Sequence, residues 1–217
     1  MKLLSLLFAL LICSCTEKTE SEESSKSSTV HNADIMNVYQ DYKESILNDK
    51  GSAAYECIDK ETRDYYDWLI VASNELNKKQ IQALGLMDHF TICVLRKNLT
   101  ASELAKMSGK DLFIYAIDNG MVGKNSVVNA ELGNVITNGN FSKAEFVVNG
   151  QKTPFFFHFY REDKLWKLDI THLFSLGTMA LKKMVEDSGE TENDFITNIL
   201  EVLTGKKPTK NIWKPII

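Results

Sequence analysis

The segment from Val127 to Thr171 constrains the fold more than any other part of the chain. Apolar and polar residues alternate there with a period of two, interrupted at Asn138-Gly139, Asn149-Gly150 and Glu162-Asp163. Asn-Gly between alternating runs is the strongest short-range signal for a tight hairpin. Four strands are therefore predicted, Val127–Ile136, Phe141–Val148, Thr153–Tyr160 and Leu165–Thr171, joined as an antiparallel meander. If Tyr160 opposes Leu165, then Phe155, Phe157 and Phe159 share a face with Trp166, Leu168 and Ile170. A two-residue turn at Asn149-Gly150 adds Ala144, Phe146 and Val148 to this core face. In the first hairpin the same kind of turn would send Val128, Leu132 and Ile136 to the wrong side, so a three-residue connection or a bulge is expected. The opposite face, with Phe141, Lys143, Glu145, Phe156, His158, Tyr160, Lys167 and Asp169, is mixed and half wet. Pro154 has no amide hydrogen to give a ladder and belongs at an edge or a bulge.

Upstream the period is helical. Ile35, Val38, Tyr39, Tyr42 and Ile46 form one apolar stripe over Asp34–Asp49, which Gly51 stops or breaks. A second helix is predicted over Thr62–Leu76, and a third from Asn77, which caps with Gln80, towards Leu95, with Gly85 marking a bend. Thr100 with Glu103 opens a short helix and Ser108 caps another that ends near Gly120. Two more helical patterns follow Ser175, the second capped by Thr191 and closed by Gly205. Helices first and a meander second give an α+β fold in which helices cover the apolar face of the sheet.

A chain of 217 residues that is 44% hydrophobic and 25% charged is a folded globular protein, which rules out wholesale disorder and a polytopic membrane protein. With 25 Lys and Arg against 29 Asp and Glu, its field does not collect phosphate backbones, so nucleic acid is not an expected partner.

The amino terminus predicts an address. Met1-Lys2 precedes a short apolar run from Leu3 to Ile12, the layout of a secretory signal and too short for an ordinary transmembrane helix. Ile12-Cys13-Ser14-Cys15 resembles the lipobox of bacterial lipoproteins. The resemblance implies that residues 1–14 are a removed signal peptide and that Cys15 carries the lipid. Cys13 is the rival site, but it places bulky Leu11 and Ile12 before the cut. The implied partner is a membrane, reached through the anchor at Cys15, and the implied location is the bacterial cell envelope, at the outer membrane on its periplasmic or surface face. Residues 15–33, rich in Ser, Glu, Thr and Lys, read as a flexible tether.

Over residues 34–174 the element order, with its final aromatic hairpin and Leu165-Trp166-Lys167-Leu168-Asp169, resembles the NTF2-like (SnoaL-type) α+β roll, a cystatin-like architecture. The helical extension over 175–217 is not standard for that roll. Two functions remain open. One is a non-catalytic module that binds a small ligand or an envelope protein. The other is a cofactor-free isomerase or lyase, in which a carboxylate in an apolar cone works as a base. Candidate residues for the second are His158 and Asp169, placed as diagonal neighbours by the register above, and Tyr65, Tyr66 and Asp67. His31, His89, His158 and His172 lack helical i, i+4 spacing and a Cys-x-x-Cys partner, so no metal is expected from spacing, and no cofactor motif occurs. Cys57 and Cys93 either pair as a disulfide or remain buried thiols. The terminal Ile212-Trp213-Lys214-Pro215-Ile216-Ile217 either docks outward or folds back on the last helix.

Overall fold

The period-two segment forms one antiparallel sheet in the computed structural model, which describes residues 27–216, with side chains from residue 32. Its strands are β1 (Ala130–Asn138), β2 (Phe141–Val148), β3 (Gln151–Glu162) and β4 (Leu165–Asp169), in the order β1-β2-β3-β4. The helices are α1 (Ser27–Leu47), α2 (Gly51–Cys57), α3 (Lys60–Glu75), α4 (Lys78–Gln82), α5 (Leu86–Asn98), α6 (Ala101–Leu104) and α7 (Gly109–Asp118) before the sheet, then α8 (Phe174–Ser188) and α9 (Glu192–Thr204) after it. The fold is α+β, with a meander and a helical C-terminal region. The signal peptide, Cys15 and most of the tether expected over 15–33 lie outside the described residues, and α1 begins before the predicted Asp34.

The chain divides into two compact units. A sheet unit comprises the described residues up to Thr62 together with Ile114–His172, and a helical unit comprises Arg63–Phe113 and the chain from Leu173 onward. The C-terminal helices, predicted as an extension of a roll, thus form one unit with residues 63–113.

In the sheet unit all three hairpins close on two-residue turns, not all of them where predicted. Asn149-Gly150 turns with φ of 51° and 74°, the left-handed pair that matches strand twist. The last hairpin instead pairs Glu162 with Leu165 around Asp163-Lys164, at φ 46° and 71°. The predicted pairing of Tyr160 with Leu165 is therefore corrected: Tyr160 opposes Lys167 and His158 opposes Asp169. The slip is by an even number of residues, so every side chain keeps its predicted face. In the first hairpin the loop is Gly139-Asn140, and a bulge between Leu132 and Val135 sets Leu132 opposite Phe146 on the core face, whereas Ile136 pairs with Lys143 on the wet face and stays exposed, as does Val128 ahead of the strand. At the bulge a Cβ on Gly133 would stand 2.7 Å from a Glu145 carboxylate oxygen, which accepts the Asn134 N–H at 3.0 Å. Pro154 falls in the irregular stretch between Lys152 and Phe156, where no ladder bond is asked of it.

Ala144, Phe146, Phe157, Phe159, Trp166 and Leu168 are buried on the core face, while Phe155, beside the irregularity, is only half-buried. α1 lays Ile35, Tyr39, Tyr42 and Ile46 into the same core, with the Tyr39 ring 4.9 Å from Phe157 and Phe157 4.7 Å from Phe146. Each such burial stabilises by about 1.5–3 kcal/mol. Gly51 begins α2 rather than merely ending α1, because its backbone runs against α7: a Cβ there would lie 2.6 Å from the Ile114 carbonyl oxygen. The Gly51 N–H donates to Asp118 at 2.7 Å.

The helical unit is organised by caps that the sequence announces. Asn77 with Gln80 and Thr100 with Glu103 form reciprocal capping boxes, and Thr191 accepts the Asp194 N–H. Gly85 separates α4 from α5 outright rather than bending one helix. Leu86, Cys93, Leu181, Phe195, Ile196, Leu200 and Ile212 make the core of α5, α8, α9 and the tail. The buried Arg96 guanidinium donates to the carbonyls of Ser73 and Leu76 at the end of α3, and to that of Ile212. The tail folds back: Trp213 packs edge-on against His89 with Lys78 over its ring, and the Ile216 N–H donates to the Asn74 carbonyl.

Candidate functional site

Antiparallel pairing sets His158 of β3 directly opposite Asp169, the last residue of β4, on the wet face. Asp169 then turns the chain. Its Oδ1 accepts the Thr171 N–H at 2.8 Å, the Thr171 hydroxyl at 2.6 Å and the His172 N–H at 3.2 Å. This Asx-type turn starts the short 3-10 segment Thr171–Leu173 and brings the His172 ring onto His158, with centroids 3.5 Å apart and planes 21° from parallel. Phe141 of β2 supports the other flank of His158 edge-on at 5.1 Å. The result is a half-buried His158, a buried Asp169 and an exposed His172 whose ligating atoms all lie within 4.8 Å of one another.

A second group shares Asp169. Ile58 bridges to Leu168, and the Asp59 N–H donates to the Leu168 carbonyl at 3.0 Å, which lays the chain entering α3 beside the end of β4. Asp59 caps α3 by accepting the Thr62 N–H at 2.9 Å, and the Thr62 hydroxyl accepts the Ile170 N–H. Asp59, Glu61 and Asp169 in consequence bring three carboxylates within 4.8 Å of one another.

The electrostatics follow from this crowding. Burial pushes the His158 imidazole below its ordinary value, and His172 and Lys143 lower it further while Asp169 pulls the other way. Burial raises the Asp59 carboxyl; its bonds to Thr62 lower it, and the charges of Asp169 and Glu162 raise it. Tyr160 is raised by burial and then by Asp169, Glu61 and Asp59.

The other predicted candidates have structural partners inside the helical unit. The Tyr65 hydroxyl donates to Asp88 at 2.8 Å and its ring meets Phe174, Tyr66 packs edge-on against Phe113, and Asp67 accepts the Gly109 N–H at 3.0 Å. Cys57 and Cys93 are free thiols, both buried, raised by burial to about 11 and about 12. Asp59 and Glu61 escaped the sequence reading, and His172 is weighed there but set aside as a ligand because its spacing matches no metal motif. An Asp at a strand end followed by Thr two residues on was the available signal for the turn that delivers His172.

A groove of about 700 Å³ lies among α1, α2 and β4 in the sheet unit. Its lining mixes signs, with Asp34, Asp41 and Glu44 against Lys50, Lys164 and Lys167, and brings no set of ligating groups to a point. Comparison with protein-family models, curated proteins and solved structures gave no match.

Proposed function

We propose that this protein is a bacterial envelope lipoprotein, anchored through Cys15, whose folded part is a non-catalytic binding module. The anchor rests on the charged start, the short apolar run and Ile12-Cys13-Ser14-Cys15. The observation that carries the binding reading is the convergence of His158, Asp169 and His172 at one end of the wet sheet face, with one imidazole open to solvent. Helices preceding a meander support an NTF2-like roll as the scaffold. The competing isomerase or lyase reading needs a carboxylate inside an apolar cavity. Phe146, Phe157, Phe159, Trp166 and Leu168 fill the apolar face with side chains, and Asp169 belongs to the opposite face.

The intact mass of the mature protein in the membrane fraction, beside a Cys15→Ser variant, tests the anchor. An N-terminus at Cys15 with acyl mass that the variant lacks is the expected result, and an unmodified soluble chain would remove the lipoprotein reading.

A further inference from the structure

We propose that His158, Asp169 and His172 form a binding site for a divalent first-row transition ion of the zinc class, resting on the reading of this face as the binding locus. The donor set is selective in kind. Two imidazoles and one carboxylate suit zinc, cobalt and iron, whereas all-oxygen sets suit magnesium and calcium. Three protein ligands also leave a coordination position for water or for a ligand atom, the open form of such a site.

The geometry is close to what an ion requires. Bonds of about 2.0–2.2 Å put neighbouring donor atoms roughly 3–3.5 Å apart, and the three donors already lie within 4.8 Å of one another. In the stacked arrangement the two imidazole planes differ by only 21°, so the in-plane lone pairs of the two rings lie in nearly parallel planes and do not yet converge on one point. Coordination by both rings would require the His172 ring to turn out of the stack so that one nitrogen of each points at a shared ion. His172 is exposed and can make that rotation, and it also leaves an entry path.

The outer shell is in place as well. Coordinating carboxylates are normally held by further hydrogen bonds. Here the Thr171 N–H, the Thr171 hydroxyl and the His172 N–H all hold Oδ1 of Asp169, so coordination would use Oδ2. The same turn ties the carboxylate to the backbone of its fellow ligand, which fixes two of the three donors together. The neighbouring charge is compatible with a cation: Asp59 and Glu61 crowd against Asp169 within 4.8 Å. Three carboxylates this close repel one another, and a divalent ion at Asp169 would offset that repulsion.

The test is titration of the purified full chain with Co(II), followed by its visible d–d absorption, and displacement by Zn(II), with circular dichroism to check folding. One equivalent is expected to bind. His172→Ala, a change at an exposed side chain, and His158→Ala should each weaken binding by at least about 100-fold, while Thr171→Val, which removes only the hydroxyl donor to Asp169, should weaken it by about 10-fold. Absence of binding tighter than about 1 mM would overturn the proposal. So would Co(II) binding that survives both histidine variants and disappears in Glu61→Gln, since that would be a carboxylate site. Loss of the acyl mass at Cys15 would count against the anchor and leave this titration untouched, so the two proposals fail separately.

Discussion

Phe157 and His158 are neighbours on β3, yet they belong to different problems. Phe157 faces α1 and is buried between Tyr39 and Phe146; His158 faces the other way and meets Asp169 and His172. A strand's period of two lets one backbone serve both, because a side chain added or removed on one face leaves the other face's neighbours in place. The core face therefore carries stability, and the wet face is where the proposed ligand residues His158 and Asp169 sit.

The largest effect should come from the core face. Phe157→Ala removes a ring 5% exposed and is expected to cost about 3–5 kcal/mol in urea unfolding. Co(II) binding to the fraction that remains folded should be unchanged. A variant as stable as the parent would break the comparison, since it would mean that the faces are assigned the wrong way round.

A histidine on a dry surface behaves unlike His158, and His89 supplies the contrast within the helical unit. It is 1% exposed, neither ring nitrogen has a hydrogen-bond partner among the described residues, and burial pushes it down to about 4. In the unfolded chain it takes up a proton near 6.5, in the folded chain only near 4. The unfolded state thus binds more protons in that window. Stability is complete above it and falls with pH, by roughly 3 kcal/mol in all. Comparing the parent with His89→Leu at pH 7 and at pH 4 isolates this contribution. Parallel losses in the two proteins would show that His89 is not the group responsible.

A middle-sized effect is expected at the junction of the faces. Asp169→Ala strips three donors of their acceptor and should cost about 2 kcal/mol, with faster hydrogen exchange at the Thr171 and His172 amides. Unchanged exchange there would mean that the turn stands without its carboxylate. The smallest effect has the opposite sign. The Tyr39 hydroxyl is buried on the dry side without a partner among the described residues, so Tyr39→Phe should raise stability by about 1 kcal/mol, read as a higher melting temperature. A lower one would indicate that the hydroxyl is satisfied after all.

The sheet was legible because its signals are local. Alternation within Phe141–Val148 and the Asn149-Gly150 dipeptide specify a strand and a turn without reference to the rest of the chain. The caps at Asn77, Thr100 and Thr191 are legible for the same reason. From the sequence the last turn reads as the four residues Arg161-Glu162-Asp163-Lys164 and not as Asp163-Lys164 alone, because two residues with side chains seldom take positive φ together. The bulge at Gly133-Asn134 could be anticipated as a need, but its place depends on Glu145 across the ladder. Two of the three donors in the histidine group were visible as neighbours, His158 and Asp169, on the right face but with the pairing slipped. His172 arrives by a turn that the carboxylate itself builds, signalled only by Asp169 and Thr171, and Asp59 by a bridge between Ile58 and Leu168, a contact that sequence spacing does not encode.

Gly51 carries a consequence for how such a sequence can diverge. A side chain there would collide with the Ile114 backbone, and the amide that glycine presents is held by Asp118. A first substitution at Gly51 would force two helices apart, and a first substitution at Asp118 would strand a donor that the close approach has shut away. Neither position has an easy single step open to it. Among descendants of this sequence the two should be inherited as a couple, kept together or exchanged together, while the surrounding helix surfaces drift.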